Sequence, residues 1–155
     1  MRACLIAALL AAGPVSAEPS RLAVFDFTLT NTSGLPTTPE EAGRLRRLDA
    51  QLRTALSRRF TVVDTAPVQP DLARVDTIRG CNGCELDLAR RLGADQAAYG
   101  WVQKVSNLIL NVNLVIEDAS TGQTLRAGSV DIRGNTDESW QRGLRYLLDE
   151  RLFRD

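Results

Sequence analysis

The chain has 155 residues, the length of one domain, and its 19 basic and 19 acidic residues cancel to a formal net charge of zero. This balance excludes a protein that binds nucleic acid or anionic lipid by charge, since such proteins carry a marked basic excess. The sequence has no histidine, which removes the commonest general base and the usual zinc ligand. We therefore predict no catalytic residues, no metal site and no cofactor, although these residue types alone do not exclude an enzyme.

Residues 1–17 have the features of a secretory signal peptide. Arg2 is followed by an apolar run, residues 5–12, and then by the small-x-small sequence Val15-Ser16-Ala17. The apolar run is too short to span a bilayer, and Cys4 precedes it, so Cys4 cannot be a lipoprotein anchor. We expect cleavage after Ala17 and a periplasmic location. The mature chain, residues 18–155, is then a single domain without a membrane span.

The first part of the mature chain predicts a strand, a helix and a second strand. Residues 21–28 form an apolar run with aromatic and β-branched side chains, typical of a buried strand. Thr38-Pro39-Glu40-Glu41 supplies the N-cap, the first-turn proline and the capping-box glutamate of a helix. Residues 60–64 form a short strand. A crossover helix joins parallel strands, so these two strands should run parallel. The apolar stripe of the helix comprises Leu45, Leu48, Leu52, Ala55 and Leu56.

Residues 92–134 are the densest apolar segment of the mature chain and predict an antiparallel meander of three strands. The segment follows a short helix, residues 85–92, which Gly93 ends. Gly100 in the first strand leaves a gap that a neighbouring ring, such as that of Trp101 or Trp140, would cover. The second strand alternates with period two, which predicts an apolar face. The members of that face are Leu108, Leu110, Val112, Leu114 and Ile116.

The third strand of the meander, residues 123–133, follows a turn at Gly122 and loses its alternation near Ala127-Gly128. A bulge there would switch the buried set from Leu125 and Ala127 to Val130 and Ile132. Residues 135–138 then cap a last helix, whose inward stripe comprises Trp140, Leu144, Leu147, Leu148 and Leu152. The element order is β-α-β-α-β-β-β-α. It predicts an α/β (α+β) domain with a mixed sheet of about five strands and helices packed on it.

Several short motifs carry a family resemblance. The segments Leu22-Ala-Val-Phe-Asp-Phe27, Phe60-Thr-Val-Val-Asp64 and Leu92-Gly-Ala-Asp95 resemble the amino-terminal domain of TolB and the curli secretion protein CsgG. This resemblance implies an envelope protein that binds partners, but the TolB propeller and the pore-forming segments of CsgG have no counterpart here. Cys81-Asn-Gly-Cys84, with residues 134–140, is similar to an uncharacterised family of small secreted proteobacterial proteins. That second resemblance implies a setting near periplasmic alcohol oxidation.

The mature chain has two cysteines, Cys81 and Cys84, in a Cys-x-x-Cys motif. An oxidising periplasm favours a structural disulfide. A redox-active pair is an alternative, because Cys84 lies at a helix start, where thiolates are stabilised. A metal site would need two more ligands, and haem attachment would need histidine in place of Glu85. We prefer the structural disulfide.

Three polar residues are candidates for binding. Asp26 interrupts a buried strand, and Asn111 and Asn113 lie on the mixed face of the central strand. The favoured hypothesis is a non-catalytic accessory or assembly protein that binds an unidentified envelope or periplasmic protein. The alternatives are a thiol-disulfide protein that uses Cys81 and Cys84, and a binder of a small ligand at the three polar residues.

Overall fold

Six strands form one mixed sheet in residues 18–154, which are the residues described by the computed structural model. They are β1 (Arg21–Val24), β2 (Thr28–Asn31), β3 (Thr61–Val63), β4 (Gln96–Lys104), β5 (Ile109–Asp118) and β6 (Thr124–Arg133). Their order across the sheet is β3-β1-β4-β5-β6, with β2 paired to β4 beyond the end of β1. The predicted signal peptide, residues 1–17, lies outside the described residues.

The strand directions follow the sequence predictions. β1 runs parallel to both β3 and β4, as a crossover helix requires. β4, β5 and β6 are successive antiparallel neighbours, which confirms the meander. The domain is therefore a single mixed α+β unit with one more strand than the predicted five.

Four α-helices and several tighter turns surround the sheet. The helices are α1 (Pro39–Leu56), α2 (Gln69–Leu72), α3 (Cys84–Arg91) and α4 (Asp137–Tyr146). α4 continues as a π-helical segment, Leu147–Leu152, and 3-10 turns cover Ala66–Val68 and Ile78–Gly80. The predicted capping box is present, since Thr38 Oγ1 accepts from the Glu41 N–H and the Glu41 carboxylate accepts from the Thr38 N–H.

The main core lies between one face of the sheet and helices α1 and α4. All five residues predicted for the inward stripe of the last helix are buried there, with Trp140 1% exposed. Four members of the predicted β5 face are fully buried, namely Leu110, Val112, Leu114 and Ile116. The prediction that Leu108 is a core residue is wrong, because the chain turns before β5 begins and leaves this side chain 72% exposed. A smaller core on the opposite face lies under α3 and the 3-10 turns.

The predicted first strand, residues 21–28, is divided in two. Val24 pairs with Ala98 and Thr28 pairs with Trp101. From Val24 to Thr28 the chain therefore advances four residues, while β4 beside it advances only three. The extra residue bulges because the Phe27 N–H leaves the ladder and donates to the Asp49 carboxylate at 2.7 Å.

This bulge also explains Gly100. A Cβ at Gly100 would lie 2.4 Å from Cε1 of Phe27 and 2.8 Å from the carbonyl oxygen of Asn113. The ring that covers the glycine therefore belongs to Phe27, and the predicted cover by Trp101 or Trp140 is wrong. An aromatic ring does cover Gly100, as predicted, but this ring comes from the bulge between β1 and β2.

The bulge predicted in β6 lies at a different position. Ile116 pairs with Arg126 and Glu117 pairs with Thr124, which leaves Leu125 as the extra residue. Leu125 is 42% exposed and Ala127 is also exposed, so the prediction that both are buried is wrong. From position 126 onward the even-numbered residues face the helices, and Ile132 is buried as expected.

Candidate functional site

The cysteine pair lies between the 3-10 turn Ile78–Gly80 and the start of α3. Cys81 and Cys84 form the predicted disulfide, with their Cα atoms 5.5 Å apart. The two residues between them, Asn82 and Gly83, have φ angles of 58° and 97°. This left-handed pair reverses the chain so tightly that the second cysteine begins the helix. The sequence Asn-Gly suits the turn, because both residues tolerate positive φ.

A buried carboxylate lies beside the disulfide. The Glu85 side chain, in a residue 8% exposed, places one oxygen 3.3 Å from Sγ of Cys81. A negative charge at that distance disfavours a thiolate on Cys81, which opposes reduction of the bond. The first turn of α3 favours a thiolate on Cys84, so the two cysteines differ in electrostatic environment. A reductant that attacks Sγ of Cys84 would have to expel Cys81 as the thiolate, and the Glu85 carboxylate makes that route the less favourable one.

The same three residues bring donor atoms within 4.8 Å of one another, Sγ of Cys81, Sγ of Cys84 and a carboxylate oxygen of Glu85. With the disulfide closed, neither sulfur is the thiolate that a metal ion binds. The oxidised protein therefore offers only the carboxylate at this position.

Asn111 and Asn113 lie on the sheet face opposite α1 and α4. Nδ2 of Asn111 donates to Asp131 at 2.8 Å, and its Oδ1 accepts from the Ser129 hydroxyl at 3.0 Å. Nδ2 of Asn113, a residue 8% exposed, lies 3.4 Å from the backbone oxygens of Trp101 and Asn111. These amides cross-link β5 to its neighbours, so a ligand would have to displace existing hydrogen bonds.

Asp26 lies elsewhere, at the bulge between β1 and β2, on the side of α1. Its carboxylate forms an ion pair with Arg53 at 2.7 Å, and the same guanidinium donates to the Val24 carbonyl at 2.9 Å. Asp49 is close by, and burial, together with the charge of Asp26, raises the pKa of Asp49 to about 6. The structure thus does not bring Asp26 together with the two asparagines. Their role in binding stays a prediction.

Sequence reasoning missed a buried ion pair between Lys104 and Glu41. Nζ of Lys104, the single lysine of the chain, lies 2.6 Å from Oε1 of Glu41, and the two side chains are 2% and 0% exposed. Nδ2 of Asn135 also donates to that carboxylate, at 2.6 Å, while Oδ1 of Asn135 accepts from Nε1 of Trp140. The network therefore connects the end of β4, the start of α1 and the loop before α4.

Burial alone would raise the pKa of Glu41, but the hydrogen bonds from Lys104, the Thr38 N–H and Asn135 hold that pKa below its ordinary value. The Glu41 carboxylate is therefore charged at neutral pH. A sequence signal did exist for this pair, because the alternation of β4 places Lys104 on the same face as the buried Val102. The three hydrogen bonds that the Glu41 carboxylate accepts make this a structural pair that holds α1 on the sheet.

A family model described as "Protein of unknown function (DUF2380)" matches residues 20–152. The chain belongs to this family. No curated protein sequence matches the chain. The match to this family model confirms the predicted resemblance to an uncharacterised family.

Several solved structures share the fold at low sequence identity. The LpoB C-terminal domain from Salmonella enterica is 18% identical, with a TM-score of 0.55 over 76% of this chain and 86% of that domain. Lipoprotein GNA1162 from Neisseria meningitidis is 20% identical, with a TM-score of 0.50 over 77% and 84% of the two chains. The PelC dodecamer from Paraburkholderia phytofirmans is 14% identical, with a TM-score of 0.53 over 88% and 90%. At these identities the likeness establishes the fold alone.

The predicted likeness to TolB is partial. TolB from Acinetobacter baumannii aligns at 14% identity and a TM-score of 0.46, over 28% of its own chain. This match is too weak to support an argument about function. Within residues 18–154, no helix combines the length and the apolar character that a membrane span requires.

Proposed function

We propose that the protein is a non-catalytic accessory or assembly protein of the bacterial cell envelope, which acts in the periplasm by binding another protein. The observation that carries this proposal is the fold shared with lipoprotein GNA1162, which is by its name a lipid-anchored protein, and with the LpoB C-terminal domain. The disulfide between Cys81 and Cys84 supports an oxidising compartment. The signal peptide, residues 1–17, remains part of the proposal.

The state of the polar side chains also supports binding over catalysis. The sequence has no histidine, and Asp26, Asn111 and the Glu41–Lys104 pair are all engaged within the chain. Groups that already satisfy one another are poor candidates for proton transfer or for a small ligand. A protein partner, in contrast, can be recognised through backbone and apolar surface.

The experiment is crosslinking and affinity capture of the mature protein, tagged at its C-terminus, in the periplasm of its native host. We expect one or a few envelope proteins to be captured reproducibly, and mass spectrometry to show Glu18 as the first residue. Capture should persist in the Cys81→Ser/Cys84→Ser variant. A protein that keeps Met1 in the cytoplasm, or that captures nothing above a tag-only control, would contradict the proposal.

A second candidate function is thiol-disulfide exchange, favoured by the position of Cys84 as the first residue of α3. It predicts that the Cys81→Ser variant loses function while its stability barely changes. It also predicts a reduction potential of roughly −120 to −270 mV, the range of known oxidoreductases. The carboxylate of Glu85 beside Cys81 is the reason that we place this candidate second. The link to alcohol oxidation rests on the sequence resemblance and stays a prediction.

A further inference from the structure

β6 forms one edge of the sheet. It pairs with β5 on one side, and no described residue pairs with its other side as a strand. Edge strands of soluble proteins are normally protected by lysine, proline, short length or a bulge. β6 is ten residues long, contains neither lysine nor proline, and has its bulge at Leu125, near its start. Residues 126–133 are therefore a regular, unprotected edge.

The backbone groups that face outward can be identified from the ladder. The Val105 N–H donates to the Ile109 carbonyl at 3.1 Å, so the odd-numbered residues of β5 bond to β4. The even-numbered residues of β5 then bond to β6, where Leu110 pairs with Ile132. The N–H and C=O groups that point away from the sheet belong to Ala127, Ser129, Asp131 and Arg133, all of which are exposed. Of these, the Arg133 carbonyl already accepts a hydrogen bond from the Ser139 hydroxyl at 2.8 Å.

The charged side chains of β6 do not shield this edge. Arg126 turns toward the helices, where it donates to the Leu152 carbonyl and lies 4.7 Å from the centre of the Phe153 ring. Asp131 is bonded to Asn111 on the open face of the sheet. A strand could therefore approach the outward backbone groups without displacing these contacts.

A groove with a cavity volume of about 380 Å³ lies beside the edge, between β6 and α4. Its lining includes Val130, Ile132, Arg142, Gly143 and Tyr146. A Cβ at Gly143 would lie 2.5 Å from Cγ2 of Ile132, so this glycine allows α4 to approach the sheet closely. An edge strand flanked by a helix is the geometry that domains use to add a strand from a partner.

The charge near the groove favours an acidic side chain in that partner. Arg133 borders the groove, and its side chain lies on the face of the sheet opposite α4, like those of the other odd-numbered residues of β6. Its guanidinium forms no ion pair or hydrogen bond with residues 18–154. Arg142, whose side chain is 67% exposed, has its nearest carboxylate, that of Glu138, at 3.6 Å. Asp131, two positions before Arg133 in β6, also borders the groove and is hydrogen-bonded to Asn111.

We propose that the β6 edge and this groove bind an extended segment of a partner protein, which adds a strand to the sheet. The segment would place an apolar side chain over Val130 and Tyr146 and an acidic side chain at Arg133. This inference rests on the proposed protein-binding function and assigns the surface that carries it.

The test begins with a displayed library of random 12-residue peptides, selected on the immobilised mature protein. We expect the enriched peptides to share an alternating apolar pattern with one acidic residue at a fixed spacing from it. The most enriched peptide, labelled with fluorescein, is then titrated by fluorescence anisotropy against the protein and three variants.

Two variants at Ser129 test its outward N–H. Ser129→Pro and Ser129→Ala both lose the hydrogen bond to Asn111, but only proline removes the N–H, and proline is tolerated on edges. We expect Ser129→Pro to weaken binding at least about tenfold and Ser129→Ala by less than about twofold. Arg133→Glu, which leaves the backbone intact, should also weaken binding at least about tenfold.

Four results would overturn the inference. In the first, the library yields no enrichment. In the second, the enriched peptide binds Ser129→Pro and Arg133→Glu as tightly as the unaltered protein. In the third, sedimentation shows a dimer that Ser129→Pro dissolves, which would give the edge to a second copy of this chain. If native partners are still captured by Ser129→Pro, the proposed function stands and this surface is wrong.

Discussion

Replacement of Lys104 by methionine tests whether the buried ion pair with Glu41 holds α1 on the sheet. The two side chains are 2% and 0% exposed, with Nζ and Oε1 2.6 Å apart. Methionine keeps most of the apolar length of lysine but leaves the Glu41 carboxylate buried without its counter-charge. Removal of one partner from a buried pair costs about 3–5 kcal/mol, a large part of the roughly 5–15 kcal/mol that stabilises a domain.

The pH dependence of this loss separates the electrostatic cause from lost packing. In the unaltered protein the pKa of Glu41 is lowered, so its contribution is present above the unfolded pKa of about 4.3 and is lost as pH falls through the folded pKa. In Lys104→Met, burial remains while the lysine is gone, so the pKa of Glu41 should rise above its ordinary value. The folded variant then takes up a proton as the pH falls toward the raised pKa of Glu41, and its deficit should be smaller at pH 4.5 than at pH 7.5.

The assay is urea unfolding at pH 4.5 and pH 7.5, followed by the fluorescence of Trp101 and Trp140. The double variant Glu41→Gln/Lys104→Met removes both charges, and we expect it to be more stable than Lys104→Met alone at pH 7.5, since no charge remains buried. A loss under about 1 kcal/mol, or an equal loss at both pH values, would refute the reasoning.

Three further results are expected. Cys81→Ser/Cys84→Ser should fold with a loss of about 1–2 kcal/mol in urea unfolding, because the closed loop is short. Asp49→Asn should stabilise the protein by about 1 kcal/mol at pH 7.5 and leave it unchanged below pH 4, since a folded pKa of about 6 makes the carboxylate increasingly unfavourable as pH rises. Gly100→Ala should lower the melting temperature sharply, because its Cβ would meet Phe27 and a backbone oxygen.

Local signals predicted the elements well. The capping box at Thr38 and the apolar stripes of α1 and α4 require only neighbouring residues, and the period-two pattern of β5 gave its buried face. The first strand was not separated into β1 and β2, because its apolar run is continuous. The residue that breaks it, Asp49, is 22 positions away from Phe27. A hydrogen bond between residues so far apart in the sequence forms only when α1 packs on the sheet, so it leaves no periodic pattern in the sequence.

The candidate site shows the same division between local and distant causes. The pairing of Cys81 with Cys84 follows from adjacency, and the structure has it. That Lys104 is buried could be inferred from alternation, but its partner Glu41 could not, because the two residues come together only when α1 packs on the sheet. The position of β6 at the edge depends likewise on the order of strands, which no short motif encodes.

The placement of the polar side chains argues for where recognition should occur. Two side chains that were predicted to bind a ligand are already bonded within the chain. The Asn111 amide is hydrogen-bonded to Asp131 and Ser129, and the Asp26 carboxylate is paired with Arg53. The outward backbone groups of β6 have no strand partner among residues 18–154. Backbone pairing binds an extended chain of almost any sequence, so specificity must come from the side chains beside it. In this molecule those are the groove next to α4 and Arg133, and we therefore expect a partner to be chosen by one apolar and one acidic residue.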